Sequence, residues 1–299
     1  MSVVLKNRHL EVTVRPECGG RIDQITDLAR AKEWLWHPPE YDPDAARPVT
    51  EAASFDACWQ GGFEEMFPND AACTVDGRAL PDHGETWSAV WDSKLDAPHR
   101  LALTLECRTV PVRLEKLLVL EPDAPVLHLR YRMTNLGASP VPCMLKLHPA
   151  LAIEEGDEID LPDCTVEAVA IEFSRLIGRE GKTRWPDGRT ADGGTVRLDR
   201  TRPADSGLRE FVYCSALEEG RCGVRNARTG SRLSFAFDRA AFPFVWVFQS
   251  YGGFNGHYVL MLEPCTSKPY DLREVIARDT AFWLGRDTMR TLDLSLHVD

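Results

Sequence analysis

In Val126-Leu127-His128-Leu129-Arg130-Tyr131-Arg132-Met133 apolar and polar residues alternate from Leu127 onward. His128 and the two arginines share one parity; Leu127, Leu129, Tyr131 and Met133 share the other. A period of two sends successive side chains to opposite faces of an extended chain. The stretch therefore predicts a strand with one face on a core and one in water. The pattern recurs on both sides of it. Leu101-Ala-Leu103-Thr-Leu105-Glu106 sets three leucines at one parity, and Leu292-Asp-Leu294-Ser-Leu296-His-Val298 closes the sequence in the same way. One-sided alternation is the mark of antiparallel sheets, whereas parallel strands buried on both faces read as unbroken apolar runs.

Turn residues separate these strands. Asp76-Gly77, Asp187-Gly188 and Asp192-Gly193 mark reversals, and Arg228-Thr-Gly230-Ser231 joins Cys222–Asn226 to Arg232–Phe237 as a hairpin. Helical signals are few. Asp271-Leu-Arg-Glu-Val-Ile-Ala-Arg278 predicts two turns capped by its aspartate, and the Pro- and Ala-rich residues 38–60 read as an irregular excursion. Strands do not alternate with helices, so a doubly wound parallel sheet is excluded. The expectation is an all-β fold with few short helices, forming one domain over residues 1–299.

Composition narrows the function. With 35 Lys plus Arg against 46 Asp plus Glu, the formal charge is −11 and no dense basic run occurs. That balance argues against nucleic acid and against an anionic membrane surface as partners. The longest apolar runs fall far short of the roughly 18 residues of a membrane span. Met1–Glu17 reads as a first strand rather than a signal peptide, because Lys6, Arg8, Glu11 and Arg15 interrupt it. Nine cysteines are scattered without any C-x-x-C spacing, as for small buried hydrophobes in a reducing compartment. A cytoplasmic location is expected.

Four segments carry polar residues that turn chemistry alone leaves unexplained. Gln60-Gly-Gly-Phe-Glu-Glu-Met-Phe-Pro-Asn69 pairs two glycines with two carboxylates among aromatics, though a tight turn with solvated glutamates reads equally from these residues. Pro81-Asp-His-Gly-Glu-Thr-Trp87 sets Asp82, His83 and Glu85 close together, but neither zinc-deaminase nor zincin spacing accompanies them, and no metal is expected. His148 interrupts the apolar stretch Met144–Ile153, where a hydrogen-bonded core histidine is the plain alternative. Glu263 ends the apolar strand Tyr258–Leu262. A carboxylate there needs a partner, a shifted pKa or a task.

Taken in order, these segments resemble the aldose 1-epimerase (galactose mutarotase-like) family. The resemblance rests on Gly61-Gly-x-x-x-x-Phe67-Pro, His83-Gly-Glu-x-Trp87, Leu147-His148-Pro and Leu262-Glu263-Pro-Cys-Thr. Phe244–Gly253 and Phe282–Leu294 agree as flanking strands. It implies a large antiparallel β-supersandwich that binds a small-molecule sugar, as monomer or homodimer, without metal or nucleotide cofactor. It also implies roles for single residues. Glu263 would be the base that takes the anomeric proton, and His148 the imidazolium acid that protonates the ring oxygen. His83 would hydrogen-bond the sugar, and by neighbourhood Glu65 and Gln249 would bind hydroxyls. The sequence departs from the family where other branches carry arginines: Gln60 precedes the paired glycines, and Thr86-Trp87-Ser88 follows Glu85. An unphosphorylated substrate is thereby favoured. Two other readings share the scaffold: a non-catalytic carbohydrate-binding or regulatory protein, and another sugar isomerase or lyase using the same pair.

Overall fold

In the computed structural model, which describes residues 2–46, 48–49 and 54–299, the alternating stretches form two stacked antiparallel sheets. The strand Val126–Asn135 lies inside an eight-stranded sheet, between Val112–Leu120 and Met289–Val298. Its register sets Leu129 beside Leu118 and Leu294, and Leu127 beside Leu120 and Leu296. Leu127, Leu129, Tyr131 and Met133 are buried, while His128, Arg130 and Arg132 face water. The parity read from the sequence is the parity of the sheet.

The second sheet has eleven strands, and its centre runs in the order Phe63–Met66, Lys146–Leu151, Tyr258–Cys265, Phe244–Tyr251, Leu208–Ser215. These central strands are buried on both faces, so their sequences do not alternate cleanly. One face packs on the eight-stranded sheet through a continuous apolar core that includes Leu147, Val247, Leu260 and Leu262. The other carries a separate, smaller apolar cluster of Phe55, Trp59, Met66, Trp87, Ala150, Phe248, Val259 and Met261. A sheet face covered by its own aromatic cluster, away from the main core, is where a ligand can enter.

Local signals largely hold. Asp271 caps the helix Leu272–Ala277 by accepting from the Arg273 backbone N–H, and Arg221–Arg225 pairs with Arg232–Phe237 as a hairpin. Asp187-Gly188 is not a turn. It belongs to a short strand, Asp187–Arg189, whose partner Thr195–Arg197 is reached around Asp192-Gly193. Among its described residues, the excursion at 38–60 contains one short helix, Phe55–Cys58. At Gly61 (φ +73°) an added Cβ would lie 2.0 Å from the Trp36 carbonyl oxygen, so the strand Phe63–Met66 begins where no side chain fits. All nine cysteines are free. Among the described residues no helix is long and apolar enough to cross a membrane, and no group of three or more His, Cys, Asp or Glu is placed to hold a metal ion.

Candidate active site

The register of the central strands decides which side chains share the outer face. Glu64 pairs with His148, and Trp246 pairs with Glu263. Lys146 pairs with Cys265 and Ala150 with Met261, which sets His148 opposite Glu263. A row of polar groups, Glu64, His148 and Glu263, thus crosses three neighbouring strands. His148 Nε2 lies 3.8 Å from Glu263 Oε1, and both residues are almost fully buried. They form the floor of a cavity of about 170 Å³.

Lys146, two residues before His148 on the same face, completes the cluster. Its ammonium pairs with Asp70 and lies 3.3 Å from Glu263 Oε2, with the Trp246 ring 4.8 Å away. Burial opposes the charge on Lys146, but Asp70 and Glu263 outweigh it, and its pKa is raised. His83 stands at the rim. Its Nδ1 is 3.0 Å from Asp82 Oδ1 and its Nε2 4.0 Å from Asp70 Oδ1. Burial disfavours an imidazolium there, yet Asp70 and Asp82 prevail and raise the His83 pKa. The His83-Gly84 turn is docked tightly, since a Cβ on Gly84 would fall 2.3 Å from the Phe67 carbonyl oxygen. Phe55 stacks on His83 with ring centroids 4.1 Å apart and stands edge-on to His148 at 5.3 Å. Glu85 lies outside the cluster and staples a loop, accepting from the Arg108 and Thr109 backbone N–H groups.

Burial controls the protonation of the central pair. It lifts Glu263 to about 7, an effect that Lys146 only partly offsets. It drives His148 well below its ordinary value, helped by the charges of Lys146 and His83. Burial thus pushes the two groups in opposite directions, Glu263 toward its protonated form and His148 toward a neutral imidazole. That direction is opposite to the imidazolium that the family resemblance implies at His148. Residue types suggest a pKa near ~6.5 for a histidine, but complete desolvation beside a lysine removes that charge.

Two expectations are corrected by the side-chain geometry. Glu65 points away from the cavity, into the space between the sheets, because neighbouring Glu64 takes the outer face. Its carboxylate accepts from Tyr131 Oη at 2.7 Å and pairs with Lys116 Nζ at 2.6 Å. Gln249 likewise alternates with Phe248 and faces inward, donating to the Leu198 carbonyl and accepting from Tyr251 Oη. Neither lines the cavity. Conversely, Lys146 and Asp70 belong to the site and were not singled out from the sequence. The signal for Lys146 was its parity with His148; Asp70, one residue past the Gln60–Asn69 segment, had none.

This two-sheet arrangement has close architectural parallels among solved structures. A proposed aldose 1-epimerase from Escherichia coli K12 superimposes with a TM-score of 0.72 at 16% identity, covering 100% of this chain and 99% of that one. The fold is that of the galactose mutarotase-like β-sandwich. A galactose mutarotase-like protein from Lactobacillus casei ATCC 334 gives 0.71 at 13% identity, with 100% of each chain covered. A galactose mutarotase related enzyme from Lactobacillus acidophilus gives 0.70 at 12% identity, covering 100% of this chain and 97% of that one. No family model and no curated protein matches the sequence.

Lys146 gives the site a testable signature. Lys146→Met removes the cation that holds Glu263 down and His148 down together. Both limbs of a pH–activity profile are expected to move to higher pH, the alkaline limb by about one unit or more. Steady-state rates from pH 5 to 9 check this; limbs that stay in place would show that Lys146 does not act on the pair.

Proposed function

We propose that this protein is an aldose 1-epimerase acting on an unphosphorylated sugar. One observation carries the reading: an acid and a base, Glu263 and His148, face each other 3.8 Å apart on the floor of a buried cavity. The anomeric hydroxyl and the ring oxygen sit on the same carbon, so groups serving both must stand close together. In the resting site Glu263 donates its proton to the ring oxygen as the C1–O5 bond breaks, and His148 takes the proton of the anomeric hydroxyl as the C1 carbonyl forms. Opening leaves a carboxylate beside an imidazolium, with the Lys146 ammonium 3.3 Å from the carboxylate to stabilise it. Rotation about C1–C2 and the reverse transfers close the ring on its other face. The first transfer has the roles opposite to those that the family resemblance implies; reclosure exchanges them. The basic side chains at the cavity, Lys146 and His83, already face carboxylates, which supports a neutral sugar over a phosphorylated one.

The productive state holds one proton between the two groups. Activity is expected to fall as pH rises through about 7, where Glu263 loses its proton, and again at low pH once His148 is protonated. These limbs belong to the pair and not to either residue alone. Polarimetry or NMR exchange between anomers, over a panel of aldoses and this pH range, tests the reading. Sugar binding without acceleration for any aldose would sink it in favour of a binding protein.

A further inference from the structure

The register that builds the polar row also builds its neighbour. Two residues along each strand, a step of about 6–7 Å, the outer face reads Ala150, Met261, Phe248 and Phe211. Every group in this second row is apolar. Phe173 and Phe254 close over it, with centroids 5.8 and 5.5 Å from Phe248. The nearest polar side chains beyond are occupied. Arg209 donates to the Phe173 and Gly253 carbonyls with its guanidinium 4.3 Å from the Phe173 ring, and Ser250 donates to the His257 carbonyl. The cavity is thus polar at one end, around Asp70, His83, Lys146, His148 and Glu263, and apolar at the other.

Aromatic faces also stack on the C–H faces of fully hydroxylated sugars. What distinguishes this cavity is the edge. Phe211, Phe248 and Met261 carry no donor or acceptor, and burying a hydroxyl unpaired against them weakens binding roughly tenfold or more. The unpartnered polar groups of the lining, the Trp59 indole N–H and the Asp56 carboxylate, sit with Phe55 beside His148. We propose that the sugar taken here is deoxygenated along the edge that meets this apolar row, 6-deoxyhexoses being the simplest members of the class. The proposal rests on the epimerase reading for its chemistry, while the binding preference stands on the cavity alone.

The test uses matched pairs: D-galactose and D-fucose, D-glucose and 6-deoxy-D-glucose, L-mannose and L-rhamnose. Binding is measured by calorimetry and turnover by NMR anomeric exchange. The deoxy member of at least one pair is expected to bind about tenfold tighter than its parent, with no parent preferred. Phe254→Gln, at the half-buried rim, offers an amide to the missing hydroxyl and should shrink or reverse that preference. Parents binding as tightly as their deoxy partners in all three pairs overturn the proposal; so does a preference that Phe254→Gln leaves intact, or failure of all six sugars to bind. A deoxy preference in binding without anomeric exchange supports the apolar edge and defeats the epimerase reading instead.

Discussion

Glu263→Gln is expected to lower kcat/KM by about 10²–10⁴-fold and, in the same protein, to change how stability depends on pH. The first effect follows from removing the only group in the central pair that carries the exchangeable proton at rest. His148→Asn should bring a loss of the same order, because the transfers are concerted. The double variant should then lose little more than either single one, since groups that act as a unit are not additive. The second effect follows from burial. The folded protein holds Glu263 at about 7, whereas the unfolded chain leaves it near the ordinary carboxylate value. A carboxyl raised on folding contributes its stability in full below the unfolded pKa and loses it as pH rises through the folded pKa. Wild type should therefore lose about 2–3 kcal/mol relative to Glu263→Gln between pH 5 and pH 8. Urea unfolding of both proteins at the two pH values measures this as the change in their difference, which cancels the titrating groups that do not interact with Glu263. Equal pH slopes would show that the carboxylate is already ionised in the folded state, and the proton assignment would fall with it.

Much of this fold is legible from parity alone. Val126–Met133 and Leu292–Val298 each keep one face dry, and a one-residue slip in either would turn four apolar side chains into water. The central strands of the larger sheet are less readable. Tyr258–Cys265 and Phe244–Tyr251 are covered on both faces, so parity no longer says which side is which. That ambiguity is why Glu65 and Gln249 read as ligands, although their neighbours Glu64 and Phe248 hold the outer face. Glu64 is itself lifted to about 7, by burial against the partial relief of Arg21, and forms the edge of the polar row. His148 and Glu263 were legible because each breaks an apolar run. Asp70 was not, since an aspartate after Pro68-Asn69 reads as loop until the fold brings Lys146 onto it. Nor could residue types give the protonation state, which depends on how completely the sheet and the aromatic cover exclude water.

Lys116→Met is expected to be the most damaging single change away from the cavity, costing about 3–5 kcal/mol. Lys116 lies on the dry face of its strand, opposite Tyr131, and no water reaches its ammonium. Burial depresses its pKa, and the Glu65 carboxylate from the facing sheet restrains that shift. The ammonium also donates to the Gly20 carbonyl, so one side chain ties together three segments distant in sequence. Replacing it by an isosteric apolar chain leaves Glu65 buried with only Tyr131 as donor, and a lone buried carboxylate is what makes such truncations severe. The pair itself need not be stabilising: Glu65→Met combined with Lys116→Met should recover most of the loss, because matched apolar groups avoid both desolvation terms. Thermal or urea unfolding of the two single variants and the double variant yields the coupling directly. The same double variant also decides the role of Glu65. If that residue only fastens the sheets, the refolded double variant binds sugar with unchanged affinity. Loss of sugar binding in a protein that has regained its stability would return Glu65 to the site and overturn the inward placement.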